Sequence, residues 1–200
     1  MEKVRCFKDL FEFPLLKVSD EGRLLSFKRN EDIYTDVTDD VLNQTILSIG
    51  LKSQYLYQEN GEFKASPIKQ MFTEDEKKRY KALGGKNKRY RMIYIPSDKS
   101  VYVFTYTNGV AESFYSANVG IADSFRIVGI ERRTTIHKKS VKMGVKFYAP
   151  IIEKVSEVVL DTEDTEKIAL LKGYFEPYKT VIEKTVTMNI ENVEAPEVPF

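Results

Sequence analysis

The chain reads as an α+β domain, mainly antiparallel β with two or three short helices. Short β-branched and aromatic stretches recur along its 200 residues, turn dipeptides punctuate them, and helix-capping patterns occur in only a few places. Strands interrupted by single helices give a domain built on antiparallel meanders. An elaborated barrel of the oligonucleotide-binding kind is one candidate, with additions because more strands are visible than that barrel's roughly five.

Leu15-Leu16-Lys17-Val18 and Leu24-Leu25-Ser26-Phe27 flank Ser19-Asp20-Glu21-Gly22 and predict a hairpin. Thr38-Asp39-Asp40 opens a short helix, with Thr38 as cap, two acids suited to the positive first turn and Gly50 as its end. Val41, Ile46 and Leu47 are expected to face the core. Stretches 53–57 and 62–65 flank Asn60-Gly61, a second hairpin. Thr73-Glu74-Asp75-Glu76 is a capping box whose helix runs to Leu83 and stops at Gly84, leaving 84–88 as a basic loop. Three strands follow at 89–95, 101–107 and 110–117, the last two joined by Asn108-Gly109, a two-residue turn signal. Strands near 125–130 and 145–152, a helix over 162–175 ended by Pro177, and a last strand over 180–190 complete the expectation. Residues 1–190 read as one globular domain and 191–200 as an acidic tail.

A hydrophobic content of 42% supports a packed core, and no apolar run is long enough to span a membrane. The start, Met1-Glu2-Lys3-Val4-Arg5-Cys6, leads into charged residues and not an apolar stretch, so no secretory leader is expected. Cys6 stands alone, so no intramolecular disulfide forms and a cytoplasmic location is expected, in the chain's own host or an infected one. The net charge of +1 hides segregation. Lys77, Lys78, Arg79, Lys81, Lys86, Lys88, Arg89 and Arg91 form a block with no acid among them. A second block spans 126–146, interrupted only by Glu131. Such blocks bind polyphosphate backbones by releasing counterions.

The tail carries Glu191, Glu194 and Glu197 without a basic residue and ends Val198-Pro199-Phe200. This tip resembles the end of the single-stranded-DNA-binding proteins of bacteria and their phages, which close with acids, an apolar residue, Pro and Phe. The dense aspartate run and the Gly/Gln-rich linker of that family are missing, and the body of the chain does not align with it. The resemblance implies that Pro199 and Phe200 dock a replication or repair partner, the ring filling an apolar pocket and the carboxylate meeting a basic rim.

The meander suggests where nucleic acid would lie. With Asn108-Gly109 as a turn, one face gathers Tyr90, Tyr94, Tyr102, Phe104, Tyr106 and Tyr115 beside the basic block. Rings stack unpaired bases and cations follow phosphates. Lys86, Lys88, Arg89 and Arg91 are therefore expected to bind phosphate, and Tyr90, Tyr94, Tyr102 and Tyr106 to stack. If those tyrosines are core instead, Arg89 and Arg91 lie on the outer face and still meet phosphate.

Catalytic patterns are thin, and a non-catalytic protein without cofactor or metal is expected. His137 is the only histidine, and Gly84-Gly85-Lys86 lacks the spacing and the preceding strand of a phosphate loop. The acids Glu31, Asp32, Asp36, Asp39 and Asp40, with Glu62-Phe63-Lys64, leave a metal-dependent nuclease as a distant option. The leading expectation is a binder of single-stranded DNA in replication or recombination, phage work included, with homo-oligomerisation open. The alternative is a structural module, a virion component or oligomer subunit, that binds no nucleic acid.

Overall fold

The fold is that of a computed structural model, which describes residues 10–29, 31, 33–134, 144 and 146–175. It is α+β. The described strands are β1 (Leu15–Val18), β2 (Leu24–Phe27), β3 (Tyr34–Asp36), β4 (Ile46–Glu59), β5 (Glu62–Ala65), β6 (Lys86–Ile95), β7 (Ser100–Tyr106), β8 (Ser124–Thr134) and β9 (Lys146–Val155). The helices are α1 (Thr38–Val41), α2 (Glu74–Ala82), α3 (Asn108–Ser116) and α4 (Thr162–Gly173). One mixed sheet runs β3-β2-β1-β7-β6-β4-β8-β9, with β5 added to β4. Every ladder is antiparallel except β1 with β7. No ladder among the described residues closes the sheet into a barrel. The predicted last strand, Cys6, His137 and the 191–200 tail with Pro199 and Phe200 lie outside the described residues.

The local signals hold where the chemistry is local. Thr73 caps α2 in a reciprocal box with Glu76, and Asp161 does the same for α4 with Asp164. Asn60-Gly61 joins β4 to β5, both with positive φ. Three expectations are corrected. Thr38 is the first residue of α1, not its cap, and its hydroxyl donates to Asp36 Oδ1. Gly50 ends no helix, since β4 runs through it with a bulge between Ser48 and Gly50. Lys86 to Lys88 belong to β6 instead of a loop.

The largest correction is residues 110–117, which form α3 and not a strand. Val110, Ala111 and Phe114 are buried and Ala117 packs against the same core, a one-sided helical stripe. Asn108 and Gly109 lack the positive φ that a hairpin turn needs at both positions. With no third meander strand, Tyr115 leaves the supposed ring face.

Two helices cover opposite faces of the sheet. On one face α3 packs with Phe104, Tyr106, Ile93, Phe125 and Ile127. On the other, Ile168 and Leu171 of α4 join Leu10, Phe175 and the β6 residues Tyr90, Met92 and Tyr94. Tyr55, Phe72 and Tyr80 form a smaller cluster under α2. β8 pairs with β4 only at Ile46↔Phe125 and Leu47↔Ser124, so the β8–β9 hairpin is free to curl over α3. There the Phe147 ring lies on Gly109 and the Tyr148 ring on Gly22, with a Cβ at either position meeting the ring at 2.8–2.9 Å.

Gly50 has a similar role at the other face, where its missing Cβ makes room for the Phe175 ring. Gly50→Ala is expected to cost about 1–3 kcal/mol, because the buried ring must shift within a packed cluster. Urea unfolding measures it; an unchanged midpoint would show that the ring swings aside freely.

A polar latch fixes α4. Tyr94 donates to Asp164 Oδ1 at 2.5 Å, and Lys99 reaches both Asp161 and Asp164 at 2.7 Å. Lys99 holds φ +59, a left-handed conformation that these two carboxylates help to fix. The Lys99 and Tyr94 hydrogen bonds hold the Asp164 carboxyl well below the usual carboxylate range. A depressed folded pKa gives stability that is complete above the unfolded value of about 3.9 and lost as pH falls through the folded one. Asp164→Asn should therefore melt earlier than wild type at neutral pH, with the gap narrowing below about pH 4. A gap that stays constant down to strong acid would refute this.

Candidate nucleic-acid interface

β6 carries the basic block, and strand alternation divides it. Lys86, Lys88 and Tyr90 point to one face, and Asn87, Arg89 and Arg91 to the other. The 96–99 turn pairs Ile95 with Ser100, so even-numbered residues of β6 stand opposite odd-numbered residues of β7. Tyr90 and Tyr94 therefore share a face with Val101, Val103 and Thr105, whereas Tyr102, Phe104 and Tyr106 share the opposite face with Arg89, Arg91 and Ile93. The single ring-bearing face expected from the sequence is two faces, and both are core.

The structure corrects four assignments on this account. Tyr90 is 4% exposed, its hydroxyl donating to Gln54 Oε1 at 3.0 Å. Tyr94 is fully buried in the α4 latch. Tyr106 is 6% exposed and accepts from Arg91 Nε at 3.1 Å. These three rings offer no free face for a base. Arg91 is 4% exposed; one Nη donates to Ser48 Oγ at 2.7 Å and to the Gly120 carbonyl at 2.8 Å, and its guanidinium lies over the Phe114 ring. It is a core cation and not a phosphate ligand. Tyr102 is half-buried, and burial pushes its phenol up.

The remaining predicted cations are accessible. Lys86 is exposed, and Lys88 and Arg89 are half-buried. Arg89 lies over the ring of Tyr115, which is 69% exposed. The fold brings two further lysines of the same basic block to Arg89, and Lys17 of a distant strand to Lys88. Arg89, Lys81, Lys77 and Asn87 line a cleft of about 300 Å³ that reaches Asn108 at the start of α3. On the other side of that helix start, Lys88 and Lys17 line a cavity of about 440 Å³ that reaches Thr107, Gly109 and Val110. The first turn of α3 thus lies between two cationic clefts, and its Ncap residue Thr107 makes no side-chain cap. The positive end of the helix dipole adds to the field of the cations.

Charge is not neutralised there. Lys77 pairs with Glu74 at 2.6 Å, but Lys17, Lys81, Lys86, Lys88 and Arg89 form no ion pair with a carboxylate among the described residues. Burial, and then the Lys17 and Arg29 charges, push the Lys88 ammonium down. Elsewhere acids and bases pair off. Arg23 meets Asp36, Lys64 meets Glu59, and Lys154 meets Asp123. Among the described residues no three His, Cys, Asp or Glu side chains form a group that could hold a metal ion; Asp32, one of the acids considered for a nuclease, lies outside them. The period-two alternation of Lys86 to Arg91 was the available signal for two clefts, whereas Lys17 comes from a distant strand.

No family model, curated protein or solved structure matches this chain. No helix among the described residues is long and apolar enough to cross a membrane.

Proposed function

We propose that this chain is a non-catalytic binder of single-stranded nucleic acid, in the setting of replication or recombination. The observation that carries the reading is the group of unneutralised cations Lys17, Lys81, Lys88 and Arg89 in the clefts on either side of the α3 start, with Lys86 exposed at the beginning of β6. Concave clefts of this size admit one flexible strand and not a rigid duplex. Tyr115 beside Arg89 supplies an exposed ring for a base. The contact of β9, at one end of the sheet, with α3 and with β1, toward the other end, supports the further proposal of an open, elaborated barrel of the oligonucleotide-binding kind. From sequence alone, the acidic 191–200 segment is proposed to compete for the same clefts and to carry the docking residues Pro199 and Phe200.

Tyrosine fluorescence titration with an oligo-dT, repeated across salt, is the test. Engagement of five cations gives a slope of log K against log salt near −3.5, and about a hundredfold loss between 50 and 200 mM salt. No binding at low salt, or binding indifferent to salt, would rule the reading out.

A second reading, an oligomer subunit or virion component, is favoured by one feature. Phe63 is 89% exposed on β5, which among the described residues pairs with β4 alone. Light scattering that shows a concentration-dependent assembly abolished by Phe63→Lys would support it.

A further inference from the structure

β1 and β7 run parallel but share only two register pairs, Leu15↔Val103 and Leu16↔Phe104. Past Leu16 they part, because β1 turns back into β2 whereas β7 feeds α3. Between adjacent parallel strands whose connections diverge, a crevice opens at the carboxyl ends, the usual place for a ligand on such sheets. Here the crevice is the cavity of about 440 Å³, within the roughly 300–1,000 Å³ range of small-molecule sites.

Its walls differ in chemistry. Lys17 and Lys88 stand on one side, with no carboxylate in ion-pair distance among the described residues. Arg29 lies close enough to Lys88 for its charge to be felt there. Their mutual repulsion falls when an anion enters, which favours a dianionic phosphate over a neutral ligand. The other side holds Phe147 and Tyr148, each brought close by a glycine that has no Cβ to push the ring away. Asp20 is the one carboxylate among the described lining residues, and with Ser19 it supplies acceptors for the N–H groups of a base.

We propose that this cavity takes one nucleotide, its phosphate between Lys17 and Lys88 and its base against the Phe147–Tyr148 wall. The inference deepens the single-strand reading and rests on it for the source of the nucleotide. A free nucleoside monophosphate has the same chemistry.

The test uses the full chain and its Lys17→Gln and Lys88→Gln variants, with thymidine monophosphate, thymidine and an oligo-dT as probes in calorimetry. Thermal melts confirm that the variants stay folded. Thymidine monophosphate should bind saturably, displace the oligonucleotide and lose roughly ten- to a hundredfold in affinity in either variant, the loss expected for one hydrogen bond to a charged group. Thymidine, lacking the phosphate, should bind more weakly than its monophosphate. If the oligonucleotide binds but neither it nor the monophosphate responds to the Lys17 and Lys88 changes, the cavity inference is overturned while the single-strand reading stands. If the monophosphate binds through Lys88 and the oligonucleotide does not bind, the cavity is a free-nucleotide site and the single-strand reading falls. Binding of neither overturns both.

Discussion

Replacing Arg91 with alanine lowers the free energy of unfolding by about 3–5 kcal/mol. The guanidinium is buried between β4, β7 and the loop before β8, and three acceptors depend on it: Tyr106 Oη, Ser48 Oγ and the Gly120 carbonyl. Truncation leaves those acceptors short of a donor in a site that excludes water, and it also opens a void against the Phe114 ring. Lysine restores the charge but not the planar fork that spans three directions, so Arg91→Lys should recover only part of the loss. Urea denaturation of the three proteins decides the matter. A change within about 0.5 kcal/mol is the behaviour of a surface residue and would return Arg91 to the set of phosphate ligands.

The second large effect is on binding. Lys88→Glu combined with Arg89→Glu should weaken oligo-dT binding by roughly a hundredfold or more at low salt and flatten the salt slope by about 1.4. Alternation along β6 sends these neighbours into different clefts, so the double change places a carboxylate in each. Attraction for phosphate is replaced by repulsion on both sides of the α3 start. Lys172→Glu, on the exposed last turn of α4, alters net charge without touching either cleft and should leave affinity nearly unchanged. Equal losses in the two variants would mean that overall charge, not the clefts, governs association.

Much of the fold was legible because its signals act over a few residues. The capping box at Thr73 and the Asn60-Gly61 turn each specify a geometry within four positions, and the Asp161 box of α4 is a signal of the same kind, absent from the expectations above. Asn108-Gly109 has the composition of a two-residue turn, but the Val110, Ala111, Phe114, Ala117 spacing after it has the period of a helix and not of a strand, and that longer pattern decides the fold. The tyrosine faces depended on parity across the 96–99 turn. That turn puts Tyr90 and Tyr94 on one side of the sheet and Tyr102 and Tyr106 on the other. Arg89, Lys88 and Lys86 were found from composition alone, since a basic run remains basic in any fold. Lys17, Phe147 and Tyr148 were not, because their meeting point is created by the β1–β7 pairing and by the curl of β9, neither of which leaves a mark on nearby residues.

The same parallel pairing imposes an order on assembly. Leu15 finds its ladder partner at Val103, so the β1–β2 hairpin cannot dock until the chain has been made past β7, about halfway along its 200 residues. At synthesis rates of about 5–20 residues per second, that wait is on the order of 4–18 s. Through this interval the nascent β1–β2 strands present Leu16 and Leu24, both fully buried in the finished protein, with nothing to cover them. A long delay with such strands uncovered is the circumstance in which a chaperone, or a mispaired neighbour, captures a chain first.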